Sequence, residues 1–412
     1  LEQEAEMQTA RAPAGKNVYG LRADWKHPTE ILFGAGRAAE LPDACERLGI
    51  KHPLLVTDPA LARLPITGRL VAANRTRGIE TAVFSRITLD PDGESVAEGA
   101  RMFLEGGYDG IVALGGGSAL DAGKAIALAF AVGPGRIWEF VFRHEAQPPK
   151  IRKGLVPPII AVPTTAGTGS EVNASAVITN ADNHIKRSLF YPDLLPGIVI
   201  ADPTLTRGLI PFLTAATGMD ALSHNLESLC NPGFSPMLDA IALQGIRYAK
   251  EWLPVAFHNQ RNIQARVYTM AASIMGAIAF EKGLGAMHAM AHAVGAVFKT
   301  HHGRTVGAVM PYVLLFNQRR IKSKMEEVAR FLDLPRHDLR GVVDWLLALR
   351  MELGMPATLG ELGVHTDDIP TLVPRTLADV NATTNPVPLE PQGVERLFRW
   401  AILGKGTQNS PQ

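Results

Sequence analysis

Short apolar runs alternate with helically spaced segments from about Ile31 to Asp202. Pro53 to Thr57 (PLLVT), Ile79 to Phe84 (IETAVF), Gly110 to Leu114 (GIVAL) and Pro158 to Val162 (PIIAV) predict strands, each a brief apolar stretch. Between them, Ala60 to Asn74, Glu94 to Glu105 and Ser118 to Ala131 predict helices. Strand alternating with helix implies an open α/β fold, a mostly parallel sheet covered by helices. After Asp202-Pro203 the pattern changes. Ala215 to Ser228, Met237 to Ala256, Asn262 to Phe280 and His288 to Phe298 carry helical periodicity, and β-branched runs become rare. The expected organisation is an α/β domain over 20–203 and an all-helical domain over 204–404, with loose tails at 1–19 and 405–412. A change of fold class near residue 203 creates a cleft, where ligands commonly sit.

Composition narrows the function classes. A chain of 412 residues exceeds the roughly 100–200 residues of one domain, which agrees with the two patterns. Its 41 basic and 40 acidic residues leave a net charge of +1 without a basic cluster, so neither nucleic acid nor a lipid headgroup surface is an expected partner. The apolar stretch from Ile111 to Val132 is interrupted by Asp121 and Lys124 and fails the test for a membrane span. The first 19 residues lack the apolar core of a secretion signal, and Cys45 and Cys230 are too few for a disulfide framework. A soluble, cytoplasmic protein is expected.

Two loops carry candidate nucleotide chemistry. Gly115-Gly116-Gly117-Ser118 follows the strand GIVAL and opens a helix containing Asp121 and Lys124. Its glycines let backbone N–H groups approach a pyrophosphate, and the helix N-terminus adds partial positive charge. It is neither G-x-G-x-x-G nor a Walker loop, and a tight turn alone would account for it. Pro163-Thr-Thr-Ala-Gly-Thr-Gly-Ser-Glu-Val172 also follows a strand and offers the hydroxyls of Thr164, Thr165 and Thr168 where an open sheet presents its crevice. A Ser/Thr turn is the competing reading. Asp58, just past PLLVT, could accept from both ribose hydroxyls and repel a 2′-phosphate, favouring NAD over NADP, or could simply cap a helix.

A second constellation points to a metal. Asp220 and His224 in GMDALSH, and His288 and His292 in GAMHAMAH, are spaced i, i+4 and share a helix face, and His302 follows in THHG. One carboxylate with several imidazoles suits a divalent ion such as Fe(II) or Zn(II) with room for a substrate oxygen. Met287, Ala289, Met290 and Ala291 make the surroundings apolar, so uncoordinated imidazoles there would need other partners.

Together these residues resemble the iron-containing (group III) alcohol dehydrogenases. The likeness runs from about Pro28 through PTEILFGAG, VTD, GGGSALDAGKA, PTTAGTGSEV, DPTLT, AATGMDALSHNLES and GLGAMHAMAHAVGA with HHG, in that order. The resemblance implies hydride transfer between NAD(P) and a primary alcohol or aldehyde, in a cleft between a Rossmann-like dinucleotide-binding domain and a helical metal-binding domain. It implies Fe(II), with Zn(II) as the alternative, on Asp220, His224, His288 and His302. His292 takes the role of the family's additional active-site histidine, here assigned to relaying the alcohol proton. Gly115 to Ser118 take the pyrophosphate, Asp58 the adenosine ribose, and Thr164, Thr165, Lys186 and Asp121 the nicotinamide end. Relatives are commonly dimers or larger, so a homodimer is expected.

Departures from the family pattern fall at the expected substrate end. Asn173 stands where many relatives have threonine, Ala279 to Lys282 replace a Phe-x-Asn segment, and Asn381 in DVNATTNP matches a pocket-lining position. Lys282 is a candidate partner for the anionic end of a short substrate such as a semialdehyde, against pairing with Glu281 or simple solvation. The competing functions are another enzyme on the same scaffold (a glycerol dehydrogenase, a maleylacetate reductase or a dehydroquinate synthase-like lyase) and a non-catalytic nucleotide-binding protein.

Overall fold

The computed structural model describes residues 29–88, 90–143, 146–180 and 185–405. The expected tail 1–19, and all but Lys405 of the expected tail 405–412, lie outside the described residues. In chain order the α/β part contains β1 (Glu30–Phe33), α1 (Leu41–Arg47), β2 (Pro53–Val56), α2 (Pro59–Ala62), α3 (Pro65–Thr76), β3 (Ala82–Phe84), α4 (Gly93–Glu105), β4 (Gly110–Gly115), α5 (Gly117–Val132), β5 (Ile159–Pro163), β6 (Ser175–Asn180), β7 (Ile185–Phe190) and β8 (Ile198–Ala201). The helical part contains α6 (Pro211–Cys230), α7 (Pro236–His258), α8 (Ile263–Ala279), α9 (Ala286–Phe298), α10 (His302–Phe331), α11 (Leu339–Glu352), α12 (Ile369–Leu377) and α13 (Pro391–Leu403).

Six parallel strands pair in the order β1-β8-β5-β4-β2-β3, while β6 and β7 form a separate antiparallel hairpin. The central strands read as continuous apolar runs because helices cover both faces. Ile111, Ala113, Ile159 and Ala161 face one core, and Val112, Leu114, Ile160 and Val162 face the other. The chain leaves β2 toward β3 on one side and β4 toward β5 on the other, so the carboxyl ends of β2 and β4 flank the topological switch where open α/β sheets bind ligands.

The single helix expected over Ala60 to Asn74 is two helices. Pro65 has no N–H and holds Leu64 in an extended conformation (φ −80°, ψ 149°), which separates α2 from α3. The β6–β7 hairpin is likewise absent from the predicted strands.

The helical part has its own core, and α8 joins it to the sheet. Ala272 and Ala279 pack in the helical core, whereas Met270, Ile274 and Ala277 pack under the sheet. The segment Ile263–Lys282 is long and apolar enough to cross a membrane (mean hydropathy 1.2), but a core helix meets the same test. Its apolar faces are taken up by packing on both sides.

Candidate active site

α6 projects Asp220 and His224 from one face, one turn apart, and both side chains are buried. His288 arrives from the first turn of α9 and His302 from the first residue of α10. The start of α10 can reach Asp220 because Gly303 lies against α6, where a Cβ would stand 2.0 Å from the Ala216 carbonyl oxygen. Asp220 Oδ1 is 3.9 Å from His224 Nε2, 3.8 Å from His288 Nε2 and 3.3 Å from His302 Nε2. Ligands about 2.1 Å from a tetrahedral ion lie ~3.4 Å apart. The ligand atoms of Asp220, His224 and His288 all lie within 4.8 Å of one another, which suits a shared divalent ion, and His302 approaches that group at Asp220.

The polar inventory agrees. Asp220 Oδ1, His224 Nδ1 and His288 Nε2 are buried and have no hydrogen-bond partner among the described residues. Buried polar atoms are almost always paired, and coordination would satisfy the carboxylate oxygen and the His288 nitrogen. Burial pushes His224 down to about 4 and His288 down to about 3, which keeps both imidazoles neutral and able to ligate near pH 7.

The two candidate nucleotide loops meet at the carboxyl ends of β4 and β5. Gly115 pairs in register with Pro163, and its carbonyl accepts the Thr164 amide at 2.9 Å, so both loops leave the sheet side by side. Gly115 has φ +148°, a conformation that glycine tolerates. A Cβ on Gly116 would stand 3.2 Å from Thr165 Cγ2, and one on Gly117 would stand 2.8 Å from Thr168 Cγ2. These glycines therefore form a cradle that side chains would fill. Gly116 caps α5 without a side-chain hydrogen bond, and no acidic residue occupies the first turn, which contains Ser118. The arrangement fits a bound pyrophosphate.

Asp58 serves both readings. Its Oδ1 accepts the Ala60 and Leu61 amides at 2.9 and 2.8 Å, capping α2. Its Oδ2 points toward the glycine turn, 3.9 Å from where a Gly115 Cβ would be.

One loop touches both halves of the site. A Cβ on Gly167 would stand 2.7 Å from Thr217 Cβ on α6, and one on Gly169 would stand 2.0 Å from Ala277 Cβ on α8. The threonines that face the glycine turn are thus anchored beside the helix carrying Asp220.

Comparison with known proteins agrees with this geometry. The family model described as iron-containing alcohol dehydrogenase matches residues 28–203, and that described as Fe-containing alcohol dehydrogenase family, C-terminal, matches 214–402. The chain belongs to the iron-containing alcohol dehydrogenases. It is 35% identical over 367 residues to a 4-hydroxybutyrate dehydrogenase of Cupriavidus necator (87% of this chain, 94% of that one). It is 33% identical over 385 residues to an NAD-dependent methanol dehydrogenase of Bacillus methanolicus (91% and 98%). A crystal structure of a 1,3-propanediol oxidoreductase superposes with a TM-score of 0.86 at 33% identity, covering 92% of this chain and 99% of that one.

In this alcohol dehydrogenase, His292 stands beside the candidate metal ligands, its ring stacked on His302 with centroids 5.3 Å apart. Its Nδ1 is 2.8 Å from Asp379 Oδ2, and Asp379 Oδ1 accepts from both the backbone N and Nδ2 of Asn381 at 2.9 Å. Burial alone would lower His292, but the Asp379 carboxylate outweighs it and holds the imidazole above its ordinary value. Burial would raise Asp379, but His292 and Asn381 outweigh it and hold the carboxyl at about 2. Asn381, expected at the substrate, here orients Asp379. Lys186 pairs with Asp90, and its charge disfavours protonation of His292 and His301.

Three further expected roles change. Lys282 is not available to a substrate anion: its side chain is 3% exposed and pairs with Asp239 of α7, not with Glu281 as the simpler reading had it. Asn173 is consumed by its own loop, with Oδ1 accepting from Lys124 Nζ at 3.2 Å and the Ser175 amide at 2.9 Å, and Nδ2 donating to the Gly169 carbonyl at 3.2 Å. Asp121 accepts from the Ser170 hydroxyl and, at 3.0 Å, the Val177 amide, so one oxygen ties α5 to the threonine loop and the other ties it to β6. Buried Lys124 completes that tie by donating to the Ser170 carbonyl at 2.9 Å.

Sequence reasoning missed Glu227 and Asp379. Glu227 is fully buried, pairs with His288 Nδ1 at 2.7 Å, and is pushed up to about 7 by burial. Its place on α6, seven residues after Asp220 and three after His224, was the available signal.

Proposed function

We propose that this enzyme interconverts a small primary alcohol and its aldehyde with NAD(H) and a divalent ion, iron first and zinc second, held by Asp220, His224, His288 and His302. The carrying observation is the convergence of those four side chains, three of which (Asp220, His224 and His288) have buried atoms without a partner among the described residues, beside a loop that also packs on the glycine turn. When bound, NAD(H) supplies the hydride acceptor or donor and the ion supplies Lewis acidity toward the substrate oxygen. The residues do the rest. The glycine turn and the uncapped start of α5 would hold the pyrophosphate, and the open oxygen of Asp58 would meet the ribose, which favours NAD over NADP. His292 would hold or pass on the alcohol proton, with Asp379 accepting its Nδ1–H so that the other ring nitrogen keeps its lone pair.

A homodimer in the cytoplasm completes the proposal, supported by the family resemblance and by two buried, unbridged cysteines. The test is NADH oxidation with a panel of short aldehydes, with metal content measured on the same sample. Chelation should abolish turnover and Fe(II) should restore it. Turnover that survives complete removal of metal, or NADH binding without turnover on any aldehyde, would overturn the reading.

A further inference from the structure

The helix that presents His288 cannot cap itself. α9 starts after Gly285, which has no side chain, so its first amides are met by distant residues. Asn385 Oδ1 accepts from the Ala286 amide at 3.1 Å, and Glu227 accepts from the Met287 amide at 2.6 Å and the His288 amide at 3.4 Å. The approach is close: a Cβ on Gly285 would stand 3.0 Å from Glu227 Oε1 and 2.8 Å from Asn385 Oδ1.

The same carboxylate meets the imidazole. Glu227 Oε2 lies 2.7 Å from His288 Nδ1. A neutral imidazole carries its proton on one nitrogen only. An ionised Glu227 carboxylate can only accept, so Nδ1 then carries the proton and the lone pair resides on Nε2, the buried atom without a partner among the described residues that faces Asp220. We infer that Glu227 is a positioning residue for the metal site, capping the helix that carries His288 and selecting the tautomer in which His288 Nε2 can ligate. The inference rests on the proposal that these residues hold a divalent ion.

Glutamine at this position cannot do both jobs. Its single carbonyl can meet the Met287 amide or the His288 Nδ1–H, and its NH2 then opposes the other donor. If the carbonyl stays with the backbone, the NH2 faces Nδ1 and favours the tautomer whose Nε2 is protonated and cannot ligate. Outer partners of ligating histidines typically contribute 10–100-fold to metal affinity.

The experiment compares wild type with Glu227→Gln by chelator competition for Zn(II) and by the visible spectrum of the Co(II) form. Circular dichroism and NADH fluorescence titration report on the fold and the nucleotide side. The expected result is metal affinity 10–100-fold weaker and an altered Co(II) spectrum, with NADH affinity retained. Wild-type metal affinity in folded Glu227→Gln would overturn the inference. Should that variant fold poorly, Glu227→Asp keeps the charge but withdraws it by one methylene. A loss of tenfold or more then supports the assignment, and wild-type affinity refutes it. Wild-type protein that takes up no divalent ion would sink the metal reading and this assignment together, an outcome distinct from binding retained in the variant.

Discussion

Gly169→Ala tests how the threonine loop joins the two halves of the site. Gly169 has φ +62°, and an added Cβ would stand 2.0 Å from Ala277 Cβ and 3.3 Å from Ala277 Cα and the Ser273 carbonyl oxygen. A left-handed backbone costs a residue with a Cβ about 1–2 kcal/mol. Carbon atoms pack at about 3.5–4.0 Å, so the loop and α8 must also separate by more than 1 Å, an overpacking that costs about 1–3 kcal/mol. The sum is a destabilisation of about 2–5 kcal/mol. Ala277→Gly removes the opposing methyl at the helix-glycine cost of about 1 kcal/mol. The double variant should recover the steric part, leaving a coupling of about 1–3 kcal/mol. Urea unfolding of the four proteins measures it. NADH titration should show weaker binding in Gly169→Ala alone, because Thr165 and Thr168 face Gly116 and Gly117 from this loop. Gly169→Ala within 0.5 kcal/mol of wild type, or strictly additive effects, would refute the reasoning.

Three other outcomes are expected. His292→Ala should lower kcat by about 10²–10⁴-fold while retaining bound metal, and full turnover with an unchanged pH profile would remove it from the mechanism. Asp379→Asn should cost about 1–2 kcal/mol, most of it at pH 5–6 in metal-free protein. The sign follows from the shifts: Asp379, held at about 2, stabilises above its ordinary 3.8 and loses this as pH falls through about 2, whereas His292, raised, stabilises below its ordinary 6.5 and loses this as pH rises through its folded value. A gap in urea midpoint between variant and wild type that is constant from pH 5 to pH 9 would contradict the pairing. Lys282→Ala should destabilise by about 1–2 kcal/mol by removing a partner of Asp239, and should leave the ratio of succinic semialdehyde to butanal turnover unchanged. A selective loss on the acid would restore Lys282 to the substrate site.

The segment Asp379 to Asn385 ties several of these effects together. Asp379 holds His292, Asn385 caps the start of α9, and Asn385 also exchanges hydrogen bonds with Asn317 of α10 at 2.8 and 3.0 Å. The stretch around Asn381, the residue expected at the substrate pocket, thus grips the helix bearing His288 and His292 at two points.

Local patterns in the sequence determined the parallel α/β class, the helical second part, the glycine turn and the i, i+4 pairs Asp220/His224 and His288/His292. Each of these depends on period or turn chemistry within a few residues, and the order of motifs was enough to identify the family resemblance. What only the tertiary structure decided were pairings between distant elements. Lys282 finds Asp239 across 43 residues, His288 finds Glu227 across 61, and His292 finds Asp379 across 87. No local spacing encodes those distances. They follow from where α6, α7 and α9 pack, and burial removes the competing option of solvation, so each charged or polar group is satisfied by the partners its neighbours leave within reach.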